Sequence, residues 1–327
     1  MLRENVQNAY DAILERKLID SDFEPYIKIN ITNEQIVIED NGIGMNKDIL
    51  ANNYWKAGNS GKNNPQSIAA GVVGHFGIGA LANFGVCTKL EIQTHRYGEK
   101  TAYTSEAQRE KINIKNSIPV TPIENQSIPY GTCITVTLDQ PGSISVINAI
   151  NYLRQYIEYI EIPVTINGQK FPQKKIDFVK KITAKEVTDS RLSYKLDIGY
   201  NNQFPLSVDI VIYDIAIQGS PINGYLYLNT RDKGILGLRN GFGLASINVP
   251  SIYEFGGIVN LDNLVPTAGR EAVSRESVSL VTSIVQSVES SWTSVIAKDP
   301  ICDNYRNFLQ YLYSHFNMAQ ASHINIK

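Results

Sequence analysis

The sequence predicts an α+β protein of two domains. Three observations carry this expectation: a helix-period stretch at residues 2–17 running directly into a β-hairpin pattern, strand-like runs interleaved with a second helical stretch up to residue 166, and a new series of strands closed by a long apolar-periodic helix. A chain of 327 residues also exceeds the roughly 150 residues of one average domain.

Each element follows from its pattern. In residues 2–17, Leu2, Val6, Ala9, Tyr10 and Ile13 gather on one side of a 3.6-residue helix while Glu4, Asn8, Asp11 and Glu15 fall on the other, giving a helix with a polar stripe. Residues 26–31 and 35–39 alternate apolar and polar across Thr32, Asn33 and Glu34, which reads as a hairpin whose second strand ends on Asp40. Between Trp55 and Gly74 the composition turns to Gly, Asn and Ser with Pro65 inside, a loop long enough to serve as an active-site lid. A helix start is expected at 80–86, and strands at 88–94, 111–115 and 132–138, so the first domain reads as a mixed α/β sandwich. Helical spacing returns at 146–160, then a strand at 163–166 and an Asn167-Gly168 turn place the boundary near residue 170. The second domain, 171–298, shows strands at 194–198, 206–214 and 224–228, a Gly-rich stretch, and a helix at 278–296; residues 299–327 read as a helical tail or the start of a further region.

Bulk chemistry narrows the partners. Thirty basic against 32 acidic side chains leave a net charge of −2, so no global footprint indicates nucleic acid or an anionic membrane, although a local basic groove is not excluded. The three cysteines, Cys87, Cys133 and Cys302, lack the paired spacing of a zinc or redox motif and read as core thiols in a reducing compartment. No apolar run reaches the roughly 20 residues of a membrane span, and no signal-peptide pattern opens the chain, so a cytoplasmic location is the expectation.

Three elements in fixed order carry chemistry. Glu4 and Asn8 stand at i and i+4, side by side on one helix face. Asn8 offers a neutral oxygen to Mg²⁺, a hard ion that completes its octahedral shell with phosphate oxygens and water, while Glu4 is placed to orient and deprotonate an attacking water. The bland alternative is a solvated helix face. Next, Glu39-Asp40-Asn41-Gly42-Ile43-Gly44-Met45 ends a strand with an acid and two glycines, where a flat ligand can lie against the chain and a buried Asp40 carboxylate accepts from an adenine amino group. Taken alone, such an Asp/Gly run is common in turns. Finally, Gly71-Val72-Val73-Gly74-His75-Phe76-Gly77-Ile78-Gly79-Ala80 leads toward a helix, so its backbone N–H groups form a phosphate cradle. Gly77 to Ala82 also fits a dinucleotide fingerprint, but that motif must follow a strand, and here the Gly/Asn/Ser stretch precedes it. Gly58 to Asn63 lacks P-loop spacing.

Together these elements resemble the N, G1 and G2 boxes of the GHKL ATPase superfamily, and within it the ninety-kilodalton heat-shock chaperones. The resemblance implies an ATP-binding α/β sandwich of the Bergerat type with ATP and Mg²⁺ as cofactors. It implies Glu4 as catalytic base, Asn8 as Mg²⁺ ligand with Asp11 completing the N box, and Asp40 as adenine reader within a G1 box that includes Gly42, Gly44 and Met45. Gly74, His75, Phe76, Gly77, Ile78 and Gly79 become the phosphate loop, with His75 equally readable as a solvated loop side chain. Gly131-Thr132 matches a late Gly-Thr pair, implying that Thr132 supports the adenine beside Asp40 through water, and Ser60-Gly61 resembles the start of the lid.

In the second domain, Leu261 to Pro266 followed by Arg270-Glu271 is similar to a chaperone middle-domain segment whose Arg reaches the γ-phosphate, with Gly269 and Ser274 departing from the pattern. Arg231, Lys233, Arg239 and Arg275 are rivals. The second domain is therefore expected to be a transducer, and the activity Mg²⁺-dependent ATP hydrolysis that closes the lid and clamps a protein client. An ATP-gated clamp on DNA, of the MutL or MORC type, is the alternative, while a sensor kinase is disfavoured because a second folded domain follows. Because only Met1, Leu2 and Arg3 precede Glu4, we expect a truncated or misplaced start. The chaperones dimerise through a further domain that this chain is too short to hold, so a homodimer is expected only of a longer protein.

Overall fold

The computed structural model describes residues 1–55, 83–112, 117–124, 127–176, 183–188, 191–201, 206–267, 269 and 271–315. The chain separates into two compact units, Met1–Lys175 and Ile176–Lys327, each α+β.

The first unit is a mixed sheet with helices on one face. Its strands are β1 (Ile27–Ile31), β2 (Gln35–Asp40), β3 (Cys87–His95), β4 (Ala102–Gln108), β5 (Val120–Ile123), β6 (Gly131–Leu138), β7 (Val164–Ile166) and β8 (Gln169–Lys170), in the order β5-β4-β3-β6-β2-β1-β7-β8. Among the described residues only the β1–β7 pairing of this sheet is parallel. Helix α1 (Leu2–Lys17) packs on β1, β2 and β6 and against α3 (Val146–Ile157); α2 (Lys47–Ile49) runs into a π-helical turn at Leu50–Tyr54.

Register explains the core. Side chains alternate along a strand, so paired positions form rows across the sheet. One row is Ile31, Ile36, Val136, Leu90 and Ala107; the next is Ile29, Ile38, Ile134, Ile92 and Ser105. All ten are buried. Each buried isoleucine contributes about 1.5–3 kcal/mol relative to an exposed one. The opposite face is solvated: Lys28 pairs with Glu39 at 3.2 Å there, and the Tyr26 hydroxyl donates to Glu39 at 2.7 Å.

The second unit has strands β9 (Thr183–Thr188), β10 (Leu192–Tyr200), β11 (Val208–Ile217), β12 (Ser220–Ile222), β13 (Gly224–Asn229), β14 (Ile235–Arg239), β15 (Phe242–Ile247) and β16 (Gly256–Leu261). Their order is β15-β14-β16-β13-β11-β10-β9, with β12 on β11 and only β14–β16 parallel. Helix α4 (Arg275–Ile296) buries Val281, Ile284, Val285, Val288, Trp292 and Ile296, the spacing of one apolar stripe, and meets the sheet where the Tyr194 and Ser287 hydroxyls bond at 2.8 Å. Helix α5 (Arg306–His315) buries Phe308, Tyr311 and Leu312, with Tyr311 stacked on Tyr253, so residues 306–315 belong to this unit's packing.

The Gly-rich stretch, given no element by the sequence, forms β14, β15 and β16, and two expectations are revised. No strand starts at 111 as expected: β4 ends at Gln108, Arg109–Lys111 is a 3₁₀ turn, Ile112 is extended outside any strand, and 113–116 lie outside the described residues. Of the helix start expected at 80–86, Asn83 is helical and 84–86 form a turn, with 80–82 outside the described residues.

Candidate functional site

The third row of the first sheet breaks the apolar pattern. Asp40 on β2 pairs with Thr132 on β6, which pairs with Thr94 on β3, and Ile27 flanks Asp40 on β1. The same alternation that buries Ile36 and Ile38 thus carries a carboxylate and two hydroxyls onto the helix-covered face. They are 6%, 8% and 0% exposed, respectively, which decides against an ordinary polar strand end, since buried polar groups must find partners.

The Asp40 carboxylate accepts from Gly42 N at 2.8 Å, curling the chain into the turn that follows β2. Ile43 N donates to the α1 carbonyl of Ala12 at 2.8 Å, and Tyr97 N donates to Ile43 O at 2.8 Å, so the turn is held between α1 and the end of β3. The glycines owe their identity to that clamp. A Cβ on Gly42 would lie 2.5 Å from the backbone carbon of Ala12; one on Gly44, at φ +66°, would overlap the His95 carbonyl. Their missing side chains make room for α1 and β3, a packing need that stands beside the ligand approach expected of them. Gly131, at φ +125°, similarly lets the start of β6 close on the Asp40 backbone, which sets Thr132 level with Asp40.

Helix α1 brings its polar residues to the same face of the sheet. Within Leu2–Lys17 only Lys17 is exposed; Asp11 is fully buried, and Glu4, Asn8 and Glu15 are half-buried. The polar stripe is therefore not a solvated helix face. Burial, then Asp11 and Glu161, pushes the neighbouring Tyr10 hydroxyl well above its ordinary pKa. Asn5, also fully buried, donates to the Asn83 side chain at 2.7 Å and ties α1 to the segment before β3. Arg16 donates to the Asn41 carbonyl at 2.8 Å and pairs with Asp20 at 2.9 Å, bracing the far end of the turn.

Thus Asp40, Gly42, Gly44, Met45 and Thr132 come together at one end of the sheet, beside the helix that carries Glu4, Asn8 and Asp11. Ser60, Gly74, His75, Phe76, Gly77, Ile78, Gly79 and Arg270 lie outside the described residues. Of the rivals to Arg270, Arg231 is held by Asp209 through both guanidinium nitrogens and by the Tyr227 hydroxyl; Lys233 and Arg275 are exposed. Ser274, left without a role by the sequence, caps α4 by accepting from Ser277 N at 3.2 Å. Sequence reasoning missed Thr94 and the Asn5–Asn83 pair; the one available signal was a polar residue at an inward position of β3.

Residues 1–139 match the family described as histidine kinase-, DNA gyrase B-, and HSP90-like ATPases. The first unit carries a GHKL ATPase domain. The chain is similar to the chaperone protein HtpG of Rickettsia typhi, 33% identical over 123 residues, covering 32% of this chain and 20% of that protein. HtpG of Campylobacter jejuni is 29% identical over 193 residues, covering 53% of this chain and 30% of the relative, and HtpG of Rickettsia canadensis is 27% identical over 184 residues, covering 50% and 28%. The chain therefore matches less than a third of the length of these relatives.

In the GHKL domain, Asn8 is half-buried on α1, and its amide oxygen is of a type that suits a hard cation. Among the described residues no three His, Cys, Asp or Glu side chains form a metal cluster. No described helix is long and apolar enough to cross a membrane.

Proposed function

We propose that the GHKL domain binds ATP with Mg²⁺ and hydrolyses it, and that hydrolysis drives chaperone-like remodelling of protein clients. The observation that carries this reading is the polar row Asp40–Thr132–Thr94 closing two apolar rows, at a glycine turn clamped under the helix that bears Glu4 and Asn8. In it, Asp40 accepts from the adenine 6-amino group and Thr132 supports the base through water. Asn8 lends its amide oxygen to Mg²⁺, which supplies neutralising charge to the phosphates when bound. Glu4, one turn away, orients the attacking water and takes its proton. Residues 58–79 act as lid and phosphate loop. The second unit acts as transducer. Free cysteines, two of them buried, fit a cytoplasmic location.

The experiment is ATP turnover by the chain with and without Mg²⁺, followed by a client-aggregation assay beside a salt-dependent DNA-binding assay. Mg²⁺-dependent ADP release together with suppressed aggregation is expected. No turnover and no nucleotide affinity would sink the ATPase reading. Turnover stimulated by DNA with a steep salt slope would replace the client by a duplex.

A further inference from the structure

Thr94 is fully buried and its hydroxyl joins three elements. It accepts from Met45 N at 2.8 Å, donates to the Gly131 carbonyl at 3.1 Å, and lies 3.1 Å from the Thr132 hydroxyl. A hydroxyl has one hydrogen and two lone pairs. With the hydrogen on Gly131 O and one lone pair taken by Met45 N, the remaining lone pair receives the Thr132 hydrogen. Thr132 is then left with lone pairs only. Its row neighbour Asp40, as a carboxylate, is also an acceptor. The two groups assigned to the base present acceptors alone, matching an edge that offers an amino group and opposing one that offers a keto oxygen.

We propose that Thr94 is a positioning residue that sets purine selectivity through Thr132, an inference that rests on the assignment of Asp40 and Thr132 to the adenine. Its hydroxyl fixes the direction of the Thr132 O–H, and the same group pins the turn at Met45. Nothing in the sequence motifs marks Thr94; its role follows from the register that places it beside Thr132.

The test is calorimetric measurement of Kd for ATP and GTP, beside melting temperature, in wild type, Thr94→Val, Thr94→Ser and Thr132→Val. Valine keeps the shape and removes the hydroxyl, so Thr132 becomes free to turn and donate. Thr94→Val is expected to lower the ATP-over-GTP preference about tenfold, the worth of one hydrogen bond. Thr94→Ser should retain the preference, and the double variant Thr94→Val/Thr132→Val should lose no more than Thr132→Val alone. A melting temperature that falls while the ATP/GTP ratio stays put would overturn the proposal and leave Thr94 as a brace of the fold. So would a Thr94→Ser variant that loses the ratio as Val does. Should Thr94→Val not fold, Thr94→Cys, a far weaker donor of similar size, is judged by the same ratio. Wild type without adenine preference would instead sink the assignment of Asp40, and the Thr94 proposal with it.

Discussion

Asp40→Asn separates the two tasks of one carboxylate. In the structure one oxygen accepts from Gly42 N at 2.8 Å and shapes the turn. An asparagine oxygen can keep that bond, so the turn and the fold should survive. On the proposed reading the other oxygen gives way to an NH₂ group, which would meet the adenine amino group donor to donor. The loss comprises one hydrogen bond to a charged group, about 1.5–3 kcal/mol, and the cost of burying an unmatched donor, about 1–3 kcal/mol, giving about 2.5–6 kcal/mol in all. At 1.4 kcal/mol per decade this is about 60- to 20,000-fold in Kd. Calorimetry with a non-hydrolysable ATP analogue measures it, with the melting temperature of the apo protein as control. Asp40→Ala provides the contrast, because it also strips the acceptor from Gly42 N and should lower the melting temperature by about 2–4 °C for each kcal/mol lost. If Asp40→Asn kept its melting temperature and bound the analogue as wild type does, the carboxylate would be a turn residue and nothing more.

Further outcomes follow from the same geometry. Glu4→Ala should keep nucleotide affinity and lower turnover by roughly 10²–10⁴, the worth of a positioned general base; a wild-type rate would make the half-buried stripe on α1 structural. Asn8→Ala should instead remove the Mg²⁺ dependence of ATP binding, which titrations with and without chelator would reveal. Gly44→Ala forces an alanine to φ +66° and drives its Cβ into the His95 carbonyl, so a loss of about 2 kcal/mol or more is expected in denaturant unfolding. Burial pushes the half-buried Cys133 thiol up to about 11, with Glu39 and Asp40 adding to the shift. Its alkylation at pH 8 should therefore be far slower in the native than in the denatured chain, and should speed up as pH rises toward that value.

Local pattern made the first unit legible where one period ran uninterrupted. The 3.6-residue spacing of Leu2, Val6, Ala9, Tyr10 and Ile13 announced α1, and the alternation through Ile36 and Ile38 announced β2 and its end at Asp40. What stayed unassigned was the Gly-rich stretch. Its glycines at 237, 256 and 257 each stand where neighbouring backbone or side chain crowds a Cβ: against β15, against the Asp232 carbonyl, and against the Tyr227 carbonyl. The strands around them are buried on both sides for much of their length, and burial of both faces erases the alternation that would have betrayed them. The polar run Ala102–Gln108 was passed over for the opposite reason, since β4 carries a buried Ser105 among its inward residues and Thr104 and Glu106 on its outer face, so no apolar alternation marks it.

The candidate site divides along the same line. The motifs name Glu4, Asn8, Asp40 and Thr132, but only register shows that a carboxylate and two hydroxyls occupy consecutive positions of one row, two rows beyond a wholly aliphatic one. A spacing in sequence cannot reveal Thr94, because the groups it touches, on β6 and in the turn after β2, are 38 and 49 residues distant in sequence. The glycines carry the converse lesson. Read as ligand-facing, Gly42 and Gly44 would tolerate alanine until nucleotide arrived; held as they are between Ala12 and His95, they should fail in the apo protein first. A Gly44→Ala variant that lost affinity without losing stability would return those positions to the ligand and weaken the argument that α1 and β3 together build the turn on which Asp40 depends.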